Sequence, residues 1–224
     1  MDIVIPFSGQ SNWFNNELRF ALRSIEKHFN LSSITIIGKT LPWLKNVNYI
    51  PAVDDACCRN KNIFKKILLS PFDKFIVWND DHYLLKKIDQ LPVYYENNIE
   101  NLIPKKHGKY RLCMEYTYKT LNDLLLPTLY YDVHTPFELE RSHLEYLKQF
   151  NWNRANTFVV KSLYYNTRDT NGTPFTDCKI QLPLTKEELI SKNLTWLSSG
   201  DALIPKGVSA YLHEIFPEKS YFEK

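Results

Sequence analysis

In the stretch "FIVWNDDHYLL" (75–85), an apolar run ends in two adjacent carboxylates. Phe75-Ile76-Val77-Trp78 reads as a buried strand, Asn79, Asp80 and Asp81 follow, and Tyr83-Leu84-Leu85 is apolar again. Hard carboxylate oxygens at a strand end suit Mg²⁺ or Mn²⁺, and those ions suit a diphosphate. Paired Asp residues on a turn are otherwise a solvated cap, but here the apolar flanks place the pair against the core. In "YYDVHTPF" (130–137), Asp132 and His134 lie two apart and so share one side of a strand. Thr135 and Pro136 then read as a helix start whose N–H groups can face an anion. "CCRNKNIFKK" offers Arg59 and Lys61 as holders of a diphosphate, while Lys65 and Lys66 read as a solvated basic face. In "WLSSGDALIP", Ser199, Gly200 and Asp201 form a small-residue turn that can receive phosphate, unless Asp201 only caps the next helix. No P-loop, GxGxxG, GxSxG or HExxH pattern occurs.

These groups need a scaffold. Residues 2–7 (DIVIPF) read as a strand stopped by Pro6 and the Ser8-Gly9 turn. "NNELRFALRSIEKHF" places Leu18, Ala21, Leu22, Ile25 and Phe29 at helical spacing. "SITIIG" (33–38) and "VNYI" (47–50) read as strands, and Asp54 or Asp55 caps a helix running to about Leu69. With the Phe75 strand, this alternation predicts an α/β sheet of mainly parallel strands. The later chain predicts a helix over 111–126, a strand over 129–134, and a helix from Thr135 with Glu138 completing a capping box. Residues 153–166 and 185–192 read as helices and 174–183 as a loop. The expectation is one domain over 1–224, α/β at first and more helical afterwards.

With 224 residues the chain can build a proper core, and its net charge of +3 is too small to imply nucleic-acid binding by itself. No apolar run approaches the roughly 18 residues of a membrane span. The opening "MDIVIPFSGQ" lacks a basic leader region, so no signal peptide is expected. Cys57, Cys58, Cys113 and Cys178 lack zinc spacing, and free thiols in a reducing cytoplasm are expected, with Cys57 and Cys58 on a helix.

Four blocks, "NNELRFALRSIEKHF", "SITIIGKTLPWL", "FIVWNDDHYLL" and "VHTPFEL", resemble in content and order the Stealth-type sugar-phosphate transferases, which are similar to nucleotide-sugar transferases of the GT-A fold. The likeness spans about residues 15–140 in scattered blocks. It implies a GT-A-like, Rossmann-type sheet with a nucleotide-sugar half (1–90) and an acceptor half (91–224). It places metal and sugar nucleotide at Asp80 and Asp81 and the active site at His134, with Arg154 as a loosely matched later arginine. The start of the chain departs from the Stealth pattern: "DIVIPFSGQS" resembles the plain first strand of a GT-A glycosyltransferase, where Pro6, Phe7 and Ser8 would pass under the base. Asn79 and Asp81 then stand in for an Asp-x-Asp element.

The resulting expectation is a Mn²⁺- or Mg²⁺-dependent transferase moving a hexose such as glucose from a UDP-sugar to a hydroxyl. Asp81 and His134 would hold the metal, and Asp80, Asp132, His134 and Asp201 would carry the chemistry. Basic residues at 61–66 and at Lys105, Lys106, Lys109 and Arg111 make hydroxymethylated pyrimidines in phage DNA one candidate acceptor, if the base is flipped out. The alternatives are a sugar-1-phosphate or glycan-directed transferase, and a non-catalytic binding module.

Overall fold

The computed structural model describes residues 1–224 except 10, 56–57, 155–156 and 201–206. β1 (Asp2–Phe7) and β2 (Ser33–Gly38) are runs of β-branched residues that bury both faces: Ile3, Val4, Ile5, Ile34, Ile36 and Ile37 are all almost fully covered. They pair in parallel from Asp2 against Ser33 to Phe7 against Gly38. β3 (Asn48–Pro51) extends the sheet beside β2, and β4 (Lys74–Val77) joins the other side of β1, both in parallel. β7 (Phe137–Glu140) closes the sheet antiparallel to β4, giving the order β3-β2-β1-β4-β7.

The helices α1 (Asn16–His28) and α2 (Arg59–Leu68) are the connections that parallel pairing requires. α1 turns Leu18, Ala21, Leu22 and Ile25 into the core, at the spacing the sequence predicts. β5 (His82–Leu84) leaves the Asp pair and joins a second sheet, β5-β10-β9, formed with β9 (Lys179–Ile180) and β10 (Trp196–Ser199). β6 (Tyr94–Tyr95) pairs with β8 (Thr173–Pro174). The remaining helices are α3 (Ile99–Leu102), α4 (Gly108–Asp123), α5 (Arg141–Leu147), α6 (Val160–Thr167), α7 (Lys186–Ser191) and α8 (Ser209–Ile215). The result is a mixed α/β fold whose mostly parallel central sheet is flanked by helices, compatible with a Rossmann-like architecture. Among the described residues no helix is long and apolar enough to cross a membrane.

Several sequence expectations are corrected. The expected helix at Thr135 is strand β7: Phe137 and Leu139 point into the core while Glu138 and Glu140 point out, and β4 supplies backbone partners. Residues 129–134 form no strand beyond one isolated bridge, Leu129 to Asn98. α2 starts at Arg59 with Cys58 extended at its N-cap, so Cys58 is not helical, and Cys57 lies outside the described residues. Asp54 and Asp55 are not the N-cap of α2, which is Cys58; they pair with Lys66 at 2.7 Å and with Lys65 at 3.3 Å. α4 begins earlier and ends sooner than expected, α6 begins later, and the expected loop at 174–183 contains β9. Cys58, Cys113 and Cys178 are buried free thiols.

Gly38 ends β2 at φ +131°, and a Cβ there would lie 1.9 Å from the Phe7 carbonyl oxygen. Gly38→Ala should therefore lower the unfolding free energy by about 2–4 kcal/mol, read from urea denaturation. A change within experimental error would mean that the β1 and β2 ends can separate freely.

Candidate functional site

The strand order reverses between β1 and β4, and in such sheets ligands occupy the crevice beyond the carboxyl ends of the strands. Pro6 and Ser8 leave β1 at that point, and Asn79, Asp80 and Asp81 leave β4 there. Buried Lys66 from α2 ties the end of β1 in place. Its amine donates to the Phe7 carbonyl at 3.0 Å and to Ser8 Oγ at 3.1 Å, and pairs with Asp54. The supposed solvated lysine is thus a structural one.

Two cavities meet at the Asp pair. A sheet-end cavity of about 680 Å³ is lined by Pro6, Ser8, Asp54, Asp80, Ser199 and Gly200, among others. An inner cavity of about 520 Å³ is lined by Tyr110, Tyr130, Asp132, His134 and Lys161, among others. Arg59, Asn79, Asp81, Lys109 and Lys179 line both. The fold thus brings together most of the sequence-selected residues from both halves of the chain. It leaves out Phe7, whose ring is buried in the core, and Lys61, which reaches toward Asp55 at 3.8 Å and lines neither cavity. Arg154 stacks over Tyr116 instead of lining either cavity. Asp201 lies outside the described residues.

The electrostatics set the two aspartates apart. Burial and then the neighbouring Asp81 charge push the Asp80 carboxyl up to about 7, with Arg59 opposing. Burial would raise Asp81 as well, but His82, Lys179, His134 and Arg59 outweigh it and hold that carboxyl below its ordinary value. Burial also drives His82 down to about 3, so its ring is neutral and the lasting positive charge near Asp81 is that of Lys179 and Arg59. Asp81 Oδ2 accepts from Ser198 Oγ at 3.2 Å and lies 3.6 Å from the Lys179 amine. Its Oδ1 has no hydrogen-bond partner among the described residues.

That buried, unsatisfied oxygen, 3.7 Å from His82 Nε2 and next to a second carboxylate, is of the type a hard divalent cation takes. No group of three or more His, Cys, Asp or Glu side chains forms a metal shell among the described residues. The side chains here that could contribute to holding such a cation are the carboxylates of Asp81 and Asp80. His134 does not fit as a ligand, contrary to expectation. Its Nδ1 is 2.7 Å from Asp177 Oδ2 and its Nε2 is 3.2 Å from the Lys179 amine. An ammonium is always a donor, so Nε2 accepts and Nδ1–H donates to Asp177. Burial would raise Asp177, but its bonds to His134 hold it down at about 2.

Asp177, Lys179, Tyr110 and Lys161 were missed by sequence reasoning. Asp177 and Lys179 sit in a segment read as loop. Tyr110 donates to Asp132 Oδ2 and shares a 2.7 Å hydrogen bond with Tyr130. Lys161, pushed down to about 8 by burial, donates to the carbonyls of Val133 and Thr135 and to Thr135 Oγ1. The 105–111 cluster divides: Lys106 and Lys109 line the inner cavity, while Arg111 pairs with Glu115 at 2.8 Å. A comparison with known protein families gives no match to this chain, and neither does a search of curated proteins.

The raised Asp80 carboxyl has a consequence for stability. The folded chain holds this proton up to about pH 7, against an ordinary value of 3.8, so folding loses stability as pH rises between these values. With chelator present, Asp80→Asn should melt above the wild type at pH 8, and the difference should vanish by about pH 4. Equal melting temperatures at both pH values would place Asp80 in a solvated setting.

Proposed function

We propose that this chain is a metal-assisted glycosyltransferase that uses a nucleotide sugar, with a UDP-hexose as the first donor to test. The observation that carries this reading is the Asp80-Asp81 pair at the strand-order reversal, set in the wall between two cavities. The donor occupies the sheet-end cavity, with its base near Pro6 and Ser8 and its diphosphate toward Arg59, Ser199 and Gly200. A divalent cation at Asp81 supplies Lewis-acid charge on the diphosphate.

The acceptor hydroxyl reaches the anomeric carbon from the inner cavity. Its oxygen forms the new bond to that carbon, the bond from the carbon to the diphosphate oxygen breaks, and the electron pair leaves with the nucleoside diphosphate. Asp132 takes the hydroxyl proton, while Tyr110 orients its carboxylate and is itself held by Tyr130. His134 acts as a positioning residue. Asp177 fixes its tautomer, and its Nε2 holds the Lys179 amine beside Asp81, where the leaving group develops charge.

Released UDP, measured with a panel of UDP-sugars and Mn²⁺, tests the reading. Asp81→Ala should abolish both metal-stimulated turnover and the metal dependence of UDP binding while leaving the fold intact; wild-type turnover in that variant removes the metal site. Lys179→Met should reduce kcat by roughly 10²–10³-fold with a smaller change in donor affinity. A Lys179→Met variant with unchanged kcat would mean that this amine does not meet the leaving group.

A further inference from the structure

The inner cavity is more cationic than its hydroxyl-binding role requires. Five cationic side chains line it (Arg59, Lys106, Lys109, Lys161 and Lys179), against the two carboxylates of Asp81 and Asp132. Lys161 is saturated by backbone and hydroxyl oxygens, and Lys179 is shared between Asp81 and His134. Arg59, Lys106 and Lys109 form no ion pair among the described residues. Lys106 instead lies 5.8 Å above the Tyr130 ring.

Two helices add to this field. The ten-residue α2 and the sixteen-residue α4 both begin at the inner cavity, through Arg59 and Asn60 on one side and Lys109 and Tyr110 on the other. Neither carries an acidic residue in its first turn, and α4 has no side-chain cap hydrogen bond. The positive ends of both dipoles therefore favour an anion there, while at α2 the N–H groups of Asn60 and Lys61 are already taken by the Cys58 side chain.

An independent observation comes from His82, which lines the same cavity. It is 3% exposed, and its Nδ1 has no hydrogen-bond partner among the described residues. Its Nε2 lies 3.4 Å from the Asn79 amide nitrogen. With Nε2 accepting from that amide, the unpartnered Nδ1 carries a ring hydrogen. A buried donor without an acceptor is costly.

We infer that the inner cavity binds a phosphate group carried by the acceptor, so that the hydroxyl substrate is a small phosphomonoester. This rests on the transferase reading above, which puts the donor in the other cavity. The acceptor keeps its phosphate throughout, because only its hydroxyl enters the reaction. Lys106, Lys109 and the two helix starts hold the phosphate, and Asp132 faces the hydroxyl.

The test is calorimetric titration of the full chain, in Mg²⁺, with inorganic phosphate and with UDP, each alone and each in the presence of saturating amounts of the other. Phosphate should bind both the free protein and the UDP-saturated protein. Lys106→Ala should weaken phosphate binding by roughly tenfold or more, the loss of one charge-assisted contact, and leave UDP affinity within about twofold. Lys106→Arg should restore phosphate binding. Displacement of phosphate by UDP would make the inner cavity part of the donor's diphosphate site and overturn the inference, while leaving the transferase reading in place. Phosphate binding with no UDP binding would overturn the transferase reading and the acceptor role with it. Phosphate affinity unchanged in Lys106→Ala would also overturn the inference. So would duplex DNA binding that is lost in Lys106→Ala while inorganic phosphate fails to bind, since the cavity would then serve a nucleic-acid backbone.

Discussion

The site depends on β4 being a buried interior strand. Phe75, Ile76 and Val77 are covered on both faces, β1 pairs along one edge and β7 along the other. The strand direction is fixed by parallel pairing with β1, so the chain emerges at the crevice where the sheet order reverses. Trp78, fully buried, continues the contact by donating its backbone N–H to the Val4 carbonyl at 3.0 Å, and its indole donates to the His82 carbonyl at 2.9 Å. Asn79, Asp80 and Asp81 therefore lie between two anchored segments and are only partly exposed. Apolar burial on either side of a polar turn has placed two negative charges where each must find compensation.

That compensation comes from distant parts of the chain. Ser198 and Lys179 reach Asp81 from the second sheet, and Arg59 adds charge from the start of α2. Lys179 is in turn positioned by His134, and His134 by Asp177. The unequal treatment of Asp80 and Asp81 follows from this geometry: the partners gather around Asp81, and Asp80 is left facing its neighbour's charge. Asp81 is held below and Asp80 above the ordinary carboxylate value.

The same helix-start signature occurs twice with opposite outcomes. Thr185 and Glu188 form a true capping box that opens α7, with hydrogen bonds in both directions. Thr135 and Glu138 have the same spacing, yet Thr135 receives the Lys161 amine and Glu138 belongs to strand β7. The open edge of β4 and the inward alternation of Phe137 and Leu139 outweigh the local capping preference.

The sequence by itself determined the elements whose burial pattern is unambiguous: the β-branched runs of β1, β2 and β4, the apolar stripe of α1, and the parallel sheet they imply. It also determined that Asp80 and Asp81 stand at the end of a buried strand, because apolar residues flank them on both sides. Only the tertiary structure decided which residues surround that pair. Asp177 and Lys179 sit in a short segment whose strand is stabilised by pairing with β10, and neither periodicity nor turn chemistry marks it in advance. Tyr110 meets Asp132 across twenty-two residues of chain, and Lys66 leaves a basic-looking helix face to hold the end of β1. Such contacts are set by which surfaces the sheet brings face to face, a long-range outcome that local residue patterns do not encode.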